Sequence, residues 1–328
     1  MKFRLSLLYL FTILILLGCF ALKANAAVVS TDIIVNVVPP NPAPNENTTI
    51  SLNSYAYNIN GATITWSVNG KTLTSGVGKK TFSVTAPAMG SEMNVVATVS
   101  TSDGTVDVKT IIKPSVMVLL WQATDSYVPP FYKGKALPTP SSEVKVVAMP
   151  EIRSGGNNVP ADNMIYAWKK DYTNNVDGSG YGKNSFIYIN DYLEDSNNIS
   201  VTASTIDQKY SSSASVDIGT YQSKVLFYKI DDILGTIWDT MLPDTHKMEG
   251  KEIVKAIPYF ISPKQLQNPV LVWSWFINDN KVNSTSINQN IMPLQVKEGT
   301  HGTSVLRLHI DNTDKIFQTT DKEININF

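Results

Sequence analysis

Beyond residue 60, apolar and polar positions alternate in short runs. "ATITWSV" (Ala62 to Val68) puts Ile64, Trp66 and Val68 on one face, and "NVVATV" (Asn94 to Val99) alternates likewise. "TSVLRLHI" (Thr303 to Ile310) and "ININF" (Ile324 to Phe328) repeat the pattern. The runs are rich in Val, Ile, Thr and aromatics, and Asn, Asp, Gly, Ser and Pro separate them. A period of two in short segments between turn residues predicts strands that bury one face, which is the pattern of all-β sandwiches. No long helical period follows the N-terminal segment.

The runs recur. Trp66, Trp168 and Trp275 stand in "ITWSVNG", "IYAWKKD" and "VWSWFIN", 102 and 107 residues apart. "VVAMP" (Val146 to Pro150) matches "VKAIP" (Val254 to Pro258), and "VLLW" (Val118 to Trp121) matches "VLFY" (Val225 to Tyr228). Val99, Ala203 and Ile310 are each followed four residues later by Asp103, Asp207 and Asp314. A period near 105 residues is the size of one immunoglobulin-like sandwich. The prediction is three such domains in tandem, 27–113, 114–221 and 222–328, after a signal or anchor over 1–26. The segment "PPNPAPNEN" from Pro39 reads as an edge strand, because proline cannot sit in a central one. Trp66, Trp168 and Trp275 are expected to fill the three cores.

Two glycine-rich stretches test for nucleotide chemistry. "TSGVGKKTFSV" (Thr74 to Val84) and "GSGYGKNSFIY" (Gly178 to Tyr188) align Gly76 with Gly180, Gly78 with Gly182 and Lys79 with Lys183. A phosphate loop needs G-x-x-x-x-G-K-[ST] and a following helix. Asp177 takes the first glycine's place and Asn184 the last, and a strand follows. These glycines therefore predict a tight turn with positive φ.

Composition narrows the class further. Formal net charge is −1 and charged residues are 17% of the chain, so no basic surface for nucleic acid is indicated. Lys2 and Arg4 precede an apolar run from Leu5 to Leu22, which ends at Ala24–Asn25–Ala26, in the order of a secretory signal. Three outcomes stay open: cleavage after Ala26, retention as an anchor, or lipidation of Cys19 in "LLGC". Each exports the remainder. Cys19 is the sole cysteine, which excludes disulfides and cysteine-based zinc sites from the exported part.

Candidate chemistry is sparse. His246, His301 and His309 show no metal spacing, and there is no G-x-S-x-G elbow. "DNTD" (Asp311 to Asp314) and "NNVDG" (Asn174 to Gly178) suit either calcium or turns. Lysine and asparagine suffice for an internal Lys–Asn amide, but no spacing locates a pair. No cofactor or metal is predicted. "WQATDSYVPPFYKG" gathers Trp121, Tyr127, Phe131 and Tyr132 near the first boundary, either as packing between domains or as a ligand patch; its counterpart holds Phe227, Tyr228 and Trp238.

"TITWSVNGK", "PPFYKGKAL", "VVAMP" and the closing "KEGTHGTS…LHIDNTDKIFQ" together resemble exported proteins of small-genome candidate-phylum bacteria (Patescibacteria). The resemblance spans nearly all of the mature chain. It implies tandem immunoglobulin-like sandwiches with an envelope address, and it carries no catalytic residues. "W-x-V-N-G" also resembles PKD-type surface modules, although their W-D-F-G-D-G signature is absent. The expected function is a non-catalytic envelope or secreted spacer, adhesin or assembly component. The alternative is a carbohydrate-binding module using the boundary aromatics. Expected partners are other envelope proteins or surface glycans, with membrane contact through the N-terminal segment only.

Overall fold

The computed structural model describes residues 30–102, 104–154 and 157–328. The chain divides into two compact units between Pro114 and Ser115. The expectation of tandem all-β sandwiches holds: the described residues form strands, turns and two 3-10 turns.

The first unit is one sandwich. Its strands are β1 (Ile34–Val38), β2 (Asn47–Asn53), β3 (Thr63–Val68), β4 (Lys71–Val77), β5 (Thr81–Thr85), β6 (Met93–Thr101) and β7 (Gly104–Ile112). Sheet β1-β2-β5 faces sheet β4-β3-β6-β7. Alternation does the sorting: Ile50 and Leu52 from the first sheet meet Ile64, Trp66, Val95, Ala97 and Val99 from the second.

The second unit holds two further sandwiches, each with its own core. One comprises β8 (Val116–Ala123), β9 (Glu143–Glu151), the ribbon β10 (Arg153–Ser154) and β11 (Asn157–Asn158), β12 (Met164–Lys170), β13 (Thr173–Tyr181), β14 (Ser185–Ile189), β15 (Ser196–Thr205) and β16 (Ser211–Gly219). Its sheets run β14-β9-β8 and β13-β12-β15-β16. The other comprises β17 (Lys224–Asp231), β18 (Gly235–Thr236), β19 (Thr245–Lys247), β20 (Lys251–Tyr259), β21 (Leu271–Ile277), β22 (Asn280–Val282), β23 (Ile291–Gln295), β24 (Thr303–Asn312) and β25 (Thr320–Asn327). Its sheets run β18-β17-β20-β23 and β19-β25-β24-β21-β22.

Each core is closed by one indole. Trp66, Trp168 and Trp275 are 1–2% exposed. The indole N–H donates to a loop carbonyl in every case: Lys79 at 2.8 Å, Lys183 at 2.9 Å and Gln289 at 2.9 Å. Phe82 and Phe186 stack on the first two rings at 5.2 and 5.6 Å. In the third sandwich Phe227 of β17 supplies the stack at 5.5 Å, because Met292 stands where the others have phenylalanine.

The glycine stretches are the loops that accept these bonds. Gly78 and Gly182 have φ of +68° and +70°, and their N–H groups donate to Ala62 and Met164 at 2.9 Å. A Cβ on Gly78 would lie 2.8 Å from the Asn60 carbonyl oxygen. The reversal delivers the next residue's carbonyl to the indole. The hairpin after each tryptophan strand is also shared. Asn69–Gly70, Asp171–Tyr172 and Asn278–Asp279 all have two consecutive positive φ values, as a type I′ turn requires. The side chain of the first residue accepts from the backbone of Asn94, Asn198 or Val305.

Two expectations need correction. The prolines from Pro39 do not form an edge strand: the ladder ends where Val38 pairs with Thr49, and prolines without N–H groups cannot extend it. The edge strand is Ile34–Val38 itself. "VLLW" and "VLFY" are also out of step by one residue. Leu119 opposes Ala148 and Phe227 opposes Ala256, so Leu119 is the equivalent of Phe227. Val118 is 47% exposed and Val225 is buried, because a one-residue slip swaps the two faces of a strand.

Trp66→Phe should lower the stability of the first unit by about 1–3 kcal/mol, since the Lys79 carbonyl loses its donor. Chemical denaturation should show a lower midpoint at unchanged slope; an unchanged midpoint would mean that the bond contributes nothing.

Candidate functional site

The structure parts Trp121 from the other three boundary aromatics, which meet the third sandwich. Trp121 packs half-buried against the second core, with the Lys135 ammonium 3.5 Å from its ring centre. Tyr127 reaches the following sandwich, where its side chain packs on the third core. Burial raises its hydroxyl pKa. Phe131 and Tyr132 meet aromatics of the third sandwich: Phe131 lies edge-on to Trp238 at 6.2 Å, and Tyr132 to Tyr259 and Phe260 at 5.9 and 5.7 Å. Phe131 is 81% exposed and holds φ at +65°. Lys255 and Lys224 approach the rings of Trp238 and Tyr259. The Tyr228 and Tyr259 hydroxyls are 2.9 Å apart, and burial, reinforced by that neighbour, raises the pKa of Tyr259.

Beneath these rings the second and third sandwiches are joined by hydrogen bonds. Tyr127 N–H donates to the Ile261 carbonyl at 2.7 Å, and Phe260 N–H returns one to the Tyr127 carbonyl at 2.8 Å. The Thr139 hydroxyl donates to the Phe260 carbonyl at 2.9 Å. Gln318, fully buried, is the hub. Its amide nitrogen donates to the Pro140 carbonyl at 2.8 Å, and its oxygen accepts from the Ser262 backbone and hydroxyl at 2.9 and 2.8 Å. Asn312, also buried, donates to the same oxygen and to the Ser262 carbonyl. Lys315 pairs with Asp125, and Tyr192 stacks on Phe317 at 4.5 Å and 8°. The junction is thus a buried polar network with an aromatic flank. Such a network orders its partners only when its members are satisfied.

Polar residues such as Gln318 and Thr139 carry no periodic signal, and nothing in the sequence singles them out. Trp238 was visible only as an aromatic in the counterpart segment. Asn312 of "DNTD" turns its side chain into the junction, and Asn174 to Gly178 lie within β13. Asp103 and Cys19 fall outside the described residues.

Elsewhere the chemistry is modest. His309 lies between Asp321 at 2.6 Å and Asp311 at 2.8 Å on exposed strands. Burial disfavours its charge, but the hydrogen bonds and charges of Asp321 and Asp311 outweigh that and raise its pKa. Among the described residues no group of three His, Cys, Asp or Glu could hold a metal ion. No described helix is long and apolar enough to cross a membrane.

No family model matches the chain, and no curated protein matches it. Solved structures with similar folds include the central fibronectin-III array of RIM-binding protein, 11% identical over 92% of this chain and 98% of that one, at a TM-score of 0.30. The fibronectin(III)-like modules of Clostridium thermocellum CbhA are 17% identical over 58% and 95%, at 0.26. The Bacteroides ovatus protein SGBP-B, solved with a mixed-linkage heptasaccharide, is 11% identical over 90% and 70%, at 0.21. Similarity at this level carries no argument about role. The sandwich assignment rests on the sheets and cores of the chain itself.

Proposed function

We propose that this chain is a non-catalytic exported strut, which holds recognition loops at a fixed distance from the cell envelope. The observation that carries the reading is the buried polar junction of the second and third sandwiches. A flexible linker would let neighbouring domains reorient, as domains do by default across small interfaces. Here a reciprocal backbone pair and the Gln318 hub set the angle between the two. Closed cores and a fixed joint suit a part whose task is position. Residues 1–26 supply the export address in this reading, and Cys19 is the residue a lipid would modify. The partners are neighbouring envelope proteins, met through loops or strand edges.

One observation favours a second reading. Phe131 holds its ring almost wholly in solvent beside Trp238, which is an arrangement on which a sugar ring could stack.

Residual dipolar couplings from the second and third sandwiches should fit one common alignment tensor; two independent tensors would contradict the strut. A glycan screen tests the second reading. Binding by the parent chain that is lost in Phe131→Ala supports it, and an unresponsive parent chain excludes it.

A further inference from the structure

The three sandwiches differ sharply at one pair of equivalent positions. The residue two beyond each core tryptophan is Val68, Lys170 or Ile277. The turn hydrogen bonds that end at Asn94, Asn198 and Val305 fix the second position as Met93, Asn197 or Ser304. In the first sandwich Val68 and Met93 pack on the core. In the third, Ile277 packs on the core, and Ile277 and Ser304 line a largely apolar pocket of about 420 Å³. Only the middle sandwich places a lysine and an asparagine there. Replacing apolar packing by a charge and an amide costs free energy unless the groups are paired.

Their arrangement is specific. The Lys170 ammonium donates to Glu194 Oε2 and Asp171 Oδ2, both at 2.9 Å. The Asn197 amide nitrogen donates to the same two oxygens, to Glu194 at short range and to Asp171 at 3.4 Å. Two nitrogens hung on one pair of oxygens are close neighbours. Asn197 is fully buried, and its Oδ1 has no hydrogen-bond partner. An unpaired buried amide oxygen is uncommon in folded proteins and asks for a reason. The Tyr188 hydroxyl is buried and unpaired as well, and its ring centre lies 5.9 Å from the Lys170 ammonium. Amine, amide and shared carboxylates are the groups needed to form an amide crosslink.

We propose that Lys170 and Asn197 react to form an internal amide with release of ammonia, and that Glu194 carries the proton. Glu194 takes a proton from the Lys170 ammonium, and the neutral amine attacks Asn197 Cγ. The Nζ–Cγ bond forms, Glu194 returns the proton to Nδ2, and the Cγ–Nδ2 bond breaks. The leaving ammonia takes up the remaining amine proton, so lysine ammonium plus side-chain amide becomes a secondary amide plus ammonium. No oxidant, metal or co-reactant enters. In the resting cluster burial favours the neutral amine, but hydrogen bonds and charges from Asp171 and Glu194 outweigh it and raise the pKa of Lys170. The scarcity of free amine must therefore be offset by proximity, which supplies effective concentrations of about 10⁵–10⁸ M in well-oriented intramolecular reactions. One turnover per molecule suffices. The product would tie the end of β12 to the start of β15, the two central strands of their sheet.

Intact-mass spectrometry of the purified exported chain tests this, with Lys170→Arg, Asn197→Ser and Glu194→Gln prepared in parallel. Arginine keeps the positive charge but forms no such amide, and serine is what the third sandwich carries. The parent chain should be lighter than its sequence by one ammonia, with a branched peptide joining Lys170 to Asn197, and all three variants should retain full mass. A folded parent chain at full sequence mass would overturn the proposal, and that result does not depend on whether any variant folds. An ammonia loss that persists in Lys170→Arg would also overturn it, since asparagine can lose ammonia by cyclising on its own backbone.

Discussion

The bond from a buried indole N–H to a loop carbonyl is the constraint on which the rest of this structure depends. An indole fills the centre of a sandwich well, but its N–H must find an acceptor once water is excluded. Here the acceptor comes from the loop that crosses from one sheet to the other. The bond therefore satisfies the indole and pins the crossing at once. It recurs with Lys79, Lys183 and Gln289 as acceptors, at nearly the same length. The loop sequence is free to vary around it: two of the loops use a glycine at positive φ, whereas the third runs through "VNSTSINQN". With no cysteine beyond residue 19, this contact and the stacked phenylalanines provide the closure that a disulfide would otherwise give.

A closed sandwich still has to be joined to the next. Between the second and third the joint is mainly polar at its centre: Gln318, Ser262 and Asn312 are buried and bonded to one another, and buried Thr139 donates to the Phe260 carbonyl. An apolar joint of the same size would hold by area alone and tolerate sliding. Directional hydrogen bonds fix one angle, at the risk of a large penalty if any member is lost. Phe131, Tyr132, Trp238 and Tyr259 flank the joint. The polar groups set the domain angle, and the aromatics form the surface next to it.

Alternation, turn chemistry and the tryptophan period were enough to read the fold class from the residues, because burial imposes period two on every strand. The limits of that reading have physical causes. "VLLW" and "VLFY" look alike at an offset of 107, but register is set by strand pairing, and Ala148 and Ala256 demand 108. The proline segment reads as extended, whereas the chain bends at 39–41 and turns at 44–45 before β2. The junction was half legible: its aromatics stood out, whereas Gln318 and Ser262 lie 56 residues apart in the chain and meet only through the fold. Lys170 and Asn197 were hidden for the same reason, since their proximity follows from the pairing of β12 with β15.

Hydrogen exchange at the indole nitrogens, followed by NMR on the nitrogen-labelled chain, tests the central constraint most directly. The indole protons of Trp66, Trp168 and Trp275 should persist until their sandwich unfolds, long after those of Trp121 and Trp238 have exchanged. Exchange of Trp66, Trp168 and Trp275 on the same fast timescale as Trp121 and Trp238 would contradict the account.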